Sequence, residues 1–250
     1  MPALVSQDGR WYWDGTRWRS RLVEGPLDMF WFTSTQDWQS RILVTGLIAL
    51  IPIVGSINAL GWTLAATDMI RQRWKELPPA GFHYLERGVP PFVISFVYGL
   101  VVLVVVVAVA VGGLFAIFAK QWWPVVGAVL LVLASILLVA WWLVSLFLTA
   151  AILIGSDRLG LGRAFNPAVL IRLARQNFDA SIHVALIYLL GGLAIGTVGL
   201  VIGVIVPFGS LVISIALPAI YAIAVPRLAT FEVATPPPLP PSAPLDTRTT

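Results

Sequence analysis

Apolar residues run along this chain in long blocks, not in the alternation of a half-buried strand or the single stripe of a surface helix. Val89 to Ala119, Gln121 to Ser156 and Ala180 to Pro226 each exceed 30 residues without one Asp, Glu, Lys or Arg. About 20 apolar residues cross the roughly 30 Å hydrocarbon core as a helix, so every block is long enough to do so. An earlier block, Ile42 to Met69, is interrupted by Pro52 and Gly55. Pro removes a backbone donor and Gly accepts the dihedrals of a tight turn, so this block is expected to enter, turn at Pro52, Gly55 and Ser56, and return. The pattern predicts an all-α polytopic integral membrane protein with about six membrane legs, at 37–51, 55–73, 90–119, 124–155, 178–206 and 208–227. A second turn is expected at Pro207, Gly209 and Ser210, where "VPFGSLV" echoes "IPIVGSI". That echo raises a weak internal repeat, of the kind found in transporters.

Charge placement favours the turning-back hairpin. A single crossing by 42–69 divides the 16 basic residues six against ten, whereas a hairpin puts 15 on one face and leaves only Lys120 opposite. Lys and Arg collect in cytoplasmic loops, so the lopsided arrangement is the expected one, with both termini cytoplasmic. Composition agrees: 58% of the residues are hydrophobic and 11% charged, against about 25% charged in soluble domains. The expected location is the cell (cytoplasmic) membrane, and no secretory signal peptide is apparent in the polar first 35 residues.

Outside the legs the pattern changes. Residues 1–21 are polar and Trp-rich, and Asp14-Gly15 between two aromatic runs signals a β-hairpin with a two-residue turn. That register sets Trp13 opposite Thr16 and Trp11 opposite Trp18, gathering Trp11, Trp13 and Trp18 on one face and Arg17 and Arg19 on the other. A linker at 22–36 leads to the membrane domain, 37–230. Asn166-Pro167 offers an N-cap and a first-turn proline for an amphipathic interfacial helix over 166–177, bearing Arg172 and Arg175. Trp11, Trp13, Trp18, Arg17, Arg19, Arg172 and Arg175 are the candidate lipid and interface contacts. Gly192, Gly196, Gly199 and Gly203 form a small-residue stripe that could admit a close helix neighbour. Residues 231–250 read as a Pro-rich disordered tail.

The run "DWQSRILVTGLIALIPIVGSINALGWTLAATDMIRQR", followed by "ELPPAGFHYLERGVPPFVISFVYGL", resembles the prokaryotic membrane family DUF4013. Asp37-Trp38, the "IPIVG" turn, Gly61, the arginines after the second leg, Leu77-Pro78 and Gly88 carry the resemblance, which extends over about 37–230. It implies a multi-pass membrane protein whose function is itself unassigned. The N-terminal stretch is similar to the short "WDGxxW" modules found beside bacterial membrane segments, through Trp13, Asp14, Gly15 and Trp18.

Candidate chemistry adds little. The chain has no cysteine, and no phosphate-binding loop, nucleophile elbow or metal-spaced histidines. His83 and His183 are far apart in sequence, and His183 follows Asp179 by one helical turn. Asn58 is the deepest strongly polar side chain and the one ligand-facing candidate. No catalytic, cofactor or metal site is expected, and the chain is read as not an enzyme. The favoured function is a non-enzymatic scaffold that organises lipid or a complex through a basic cytosolic face. Its expected partners are anionic headgroups and a membrane protein or second copy, not nucleic acid. The alternative is a transporter or permease component.

Overall fold

The computed structural model describes residues 11–13, 18–20, 30–118, 123–205 and 209–233. Among the described residues eight α-helices follow in chain order: α1 Trp38–Ala49, α2 Val54–Arg71, α3 Leu85–Ile117, α4 Trp123–Leu159, α5 Leu161–Ala164, α6 Pro167–Gln176, α7 Phe178–Ile205 and α8 Gly209–Ala229. Three are long and apolar enough to cross a membrane: α3, α4 and α7, the last over Phe178–Leu200. Only 6% of the most apolar window of α4 is buried inside the protein. Leu100, Val104, Val129, Val132 and Ile136 lie open on α3 and α4, a surface that hydrocarbon covers and water would not tolerate. At 33 and 37 residues, α3 and α4 extend about 50 and 55 Å, so they tilt or leave the core.

The interrupted first block is two helices. Between them Val54 N–H donates to Pro52 O at 2.7 Å across Ile53, whose φ of 65° and ψ of −61° form a strained γ-turn. The sequence assigned positive φ to Gly55, but Ile53 carries it. Gly55 serves a different need: a Cβ there would lie 2.6 Å from Ala49 Cα, so the backbones of α1 and α2 touch. A β-branched residue at positive φ costs about 1–3 kcal/mol, which that packing offsets.

Both outer ends of this hairpin return to the C-terminal half of α8. Trp31 donates its indole N–H to Ala222 O at 2.9 Å, and Arg71 reaches the carbonyls of Leu228, Ala229 and Phe231 at 2.9–3.3 Å. Midway, a Cβ on Gly46 would press on Ile215 of α8 at 2.6 Å. At 12 residues α1 rises about 18 Å, well short of a full crossing. Glycine also joins α2 to α3, where a Cβ on Gly61 would overlap Tyr84 O and one on Gly88 would overlap Ile57 O.

The expected strand register is corrected. Trp11–Trp13 and Trp18–Ser20 pair antiparallel with Trp13 opposite Trp18 and Trp11 opposite Ser20. The strands are thus joined by four residues rather than two; those four, Asp14 to Arg17, lie outside the described residues. Within the expected linker 22–36, Trp31–Ser34 is a 3-10 turn with Trp31 and Phe32 buried, and residues 22–29 lie outside the described residues. At the start of the expected tail, Phe231 is buried and Asn177 pairs with both backbone atoms of Glu232 at 2.7 and 2.8 Å; residues 234–250 lie outside the described residues. In both places an aromatic side chain gains more by burial than polar neighbours gain by staying solvated.

The third helix begins at Leu85, not 90, so Pro90 and Pro91 fall within its early turns. The two helix pairs linked by the repeat differ in length, 12 and 18 residues against 28 and 21.

Candidate functional site

Charged residues meet where the helices end. Asp68 near the end of α2, Arg87 near the start of α3, and Asp157 and Arg158 near the end of α4 build one ionic cluster. Arg87 grips Asp157 bidentately, Nε to Oδ1 at 2.7 Å and Nη2 to Oδ2 at 2.9 Å, and also donates to Asp68 Oδ2 at 2.5 Å. Arg158 donates to Asp68 Oδ1 at 2.7 Å. The planar guanidinium with its fixed fork of donors suits two carboxylates at once, which a lysine ammonium does not. Arg71 lies 3.9 Å from Asp68 and caps the α8 C-terminus, where unsatisfied carbonyls and the helix dipole favour a cation.

The segment after α2 folds back across the hairpin. Gln72 ends the helix, and Arg73 takes φ 64°. Trp74 N–H reaches Met69 O and Arg73 N–H reaches Ile70 O, a Schellman closure with arginine where glycine is usual. Leu77 is then fully buried; its N–H donates to Thr35 Oγ1 at 3.1 Å and its carbonyl accepts from Arg41. Pro78 O accepts from the Trp62 indole at 3.3 Å. Leu77-Pro78 therefore pins the pre-α1 segment, α1 and α2 together.

Asn58 is buried in this region and donates from Nδ2 to Gly81 O at 2.9 Å. Thr63 is buried too, bonded to Ala59 O on its own helix. Arg172 and Arg175 stand exposed on α6, whose Leu170, Leu173 and Ala174 are buried. A Cβ on Gly155 of α4 would meet Leu173 and Leu170 at 3.2 and 3.4 Å, so the apolar face of α6 is spent on protein rather than lipid. Asn166 Oδ1 accepts from Ala168 N–H at 3.0 Å, capping that helix. Ser56 sits exposed in the first turn of α2. Gly209 and Ser210 open α8, while Pro207 and Arg17 lie outside the described residues; Trp11, Trp13, Trp18 and Arg19 fall in the short strands.

His183 Nδ1 is 3.3 Å from Asp179 Oδ1, and Arg227 reaches Asp179 at 3.9 Å. His83 instead packs on Tyr84, ring centroids 4.3 Å apart. No group of three His, Cys, Asp or Glu that could hold a metal occurs among the described residues. The glycine stripe does not mediate packing at Gly192 or Gly196, where an added Cβ meets nothing within 4 Å. Gly191, one residue away, faces Ile220 at 2.9 Å.

Charged helix ends drawn together over long, lipid-suited apolar surfaces define a helical membrane protein. The chain belongs to the DUF4013 family, proteins of unknown function, whose model matches residues 44–208. No curated protein and no solved structure matches it.

Proposed function

We propose that this is a non-enzymatic multi-pass protein of the cell membrane whose basic cytosolic end gathers anionic lipid and organises a membrane partner around it. One observation carries the reading: two acids at that end, Asp68 and Asp157, are spent on internal ion pairs, while a run of arginines on and beside α6 stands exposed. Asp68 and Asp157 are held by Arg87 and Arg158. Arg163, Arg172 and Arg175 are exposed, and residues 158–178 contain four arginines and no acid. The positive-inside rule assigns such an end to the cytosol. The segment before α1 and the segment after α8 are both tied to it, which supports cytoplasmic termini and a first hairpin that does not change sides. The remaining helices, α1, α2 and α8, then complete the membrane domain as shorter legs.

A basic side chain near an anionic surface is worth about 1 kcal/mol, a factor of about five in binding. The test is retention of a fluorescent anionic phospholipid by the full chain in mixed-lipid nanodiscs. Arg172→Glu with Arg175→Glu should reduce enrichment of anionic over zwitterionic lipid at least fivefold, and raised salt should reduce it in the wild type. Enrichment indifferent to lipid charge, salt and both reversals would refute the reading.

A further inference from the structure

Two buried oxygens in the first hairpin lack a hydrogen-bond partner among the described residues. Thr45 on α1 is 1% exposed and Asn58 on α2 is 0% exposed, and neither Thr45 Oγ1 nor Asn58 Oδ1 is bonded. The register of α1 against α2 places both at one level. Near the turn the closest approach joins Gly55 to Ile48 and Ala49, and further from it Ile42 shares a core cluster with Trp62. Thr45 stands three residues before Ile48 and Asn58 three beyond Gly55, so the two face one seam, roughly one helical turn from the close contact. The seam is closed by the returning segment, because the amide nitrogen of Asn58 is already committed to Gly81 O.

A buried carbonyl or hydroxyl left unbonded carries an uncompensated desolvation cost. Asn58 could avoid that cost only by meeting a donor, and Thr45 by meeting either kind of partner. We propose that the α1–α2 seam binds one water molecule, which donates to Asn58 Oδ1 and bonds Thr45 Oγ1. Both ligands are uncharged, and the named charged neighbour on this side, Arg41, is committed to Leu77 O. Water is therefore the guest whose bonding matches one obligate acceptor and one adaptable hydroxyl.

The sign of one substitution tests this. Thr45→Val keeps the shape and removes the hydroxyl. With a bridging water the full chain in nanodiscs should melt about 2–4 °C lower, Thr45→Ser should restore the wild-type value, and the effect should shrink in an Asn58→Leu background. With no guest, Thr45→Val removes an unbonded buried hydroxyl, so melting unchanged or raised, and additive with Asn58→Leu, overturns the proposal. Melting that depends on Na⁺ against choline overturns it in favour of a cation. If Thr45→Val fails to fold, a structure of the wild-type chain that resolves ordered water decides. A peak within hydrogen-bond distance of both oxygens supports the site, and the two oxygens bonded to protein alone refutes it.

Discussion

Replacing Arg87 with Met should be the most damaging single change at the charged end. The side chain makes three hydrogen bonds, two to Asp157 and one to Asp68, at 2.5–2.9 Å. Its removal leaves Asp157, 14% exposed, with Arg158 at 3.7 Å as its remaining ion-pair contact. Breaking a fully buried pair costs about 3–5 kcal/mol. Arg87 and Asp68 are 32% and 26% exposed, and solvent screening reduces the loss to about 2–3 kcal/mol. For a chain of this size 1 kcal/mol moves the melting midpoint by about 2–4 °C, so Arg87→Met should lower it by about 5–10 °C. Arg87→Lys keeps the charge but loses the bidentate grip, and should lie between the two. Neutralising the partners, Asp68→Asn with Asp157→Asn, should make Arg87→Met less costly than it is alone, because the stranded charges are then gone. The assay is thermal unfolding in a mild detergent, followed by tryptophan fluorescence. A shift under 1 °C for Arg87→Met, or full additivity with the aspartate changes, would show that the cluster does not hold the helix ends.

Three further substitutions probe the backbone. Gly88→Ala should destabilise by about 2 kcal/mol or more, since its methyl overlaps Ile57 O where α2 and α3 touch. Gly192→Ala, with open space around it, should be neutral or slightly stabilising in the same unfolding assay. Arg73→Gly should stabilise by about 1 kcal/mol, because glycine accepts the φ of 64° that arginine holds under strain. A fall in midpoint would instead assign Arg73 a contact worth more than its strain.

Local signals in the sequence were strong where the physics is local. Pro52 sits at the break between α1 and α2, and Asn166-Pro167 opens α6 with its cap, because a missing donor and a capping oxygen act within a turn. The uncharged blocks mark α3, α4 and α7 as well, because a run of about 20 apolar residues is enough to cross the hydrocarbon core. Long-range pairing left no such mark. Nothing near Arg87 indicates that Asp157, 70 residues on, completes its fork, and nothing in "ELPP" indicates that Leu77 locks to Thr35 and Arg41. Spacing singles out the glycines of the α7 stripe, yet glycine matters at Gly46, Gly55, Gly61 and Gly88, where backbones meet. One signal was available: Gly61 and Gly88 flank the segment that folds back, a placement that close helix approach would demand.

The first hairpin carries the topology, and the absence of native cysteine gives a direct way to read it. Single cysteines at Gln36, Gln72 and Phe118 place exposed thiols before α1, after α2 and at the far end of α3. A membrane-impermeant maleimide, applied to sealed vesicles of known orientation, should label Gln36→Cys and Gln72→Cys from the same side and Phe118→Cys from the other. Labelling of Gln36→Cys and Gln72→Cys from opposite sides would contradict a hairpin that returns to the membrane face it entered.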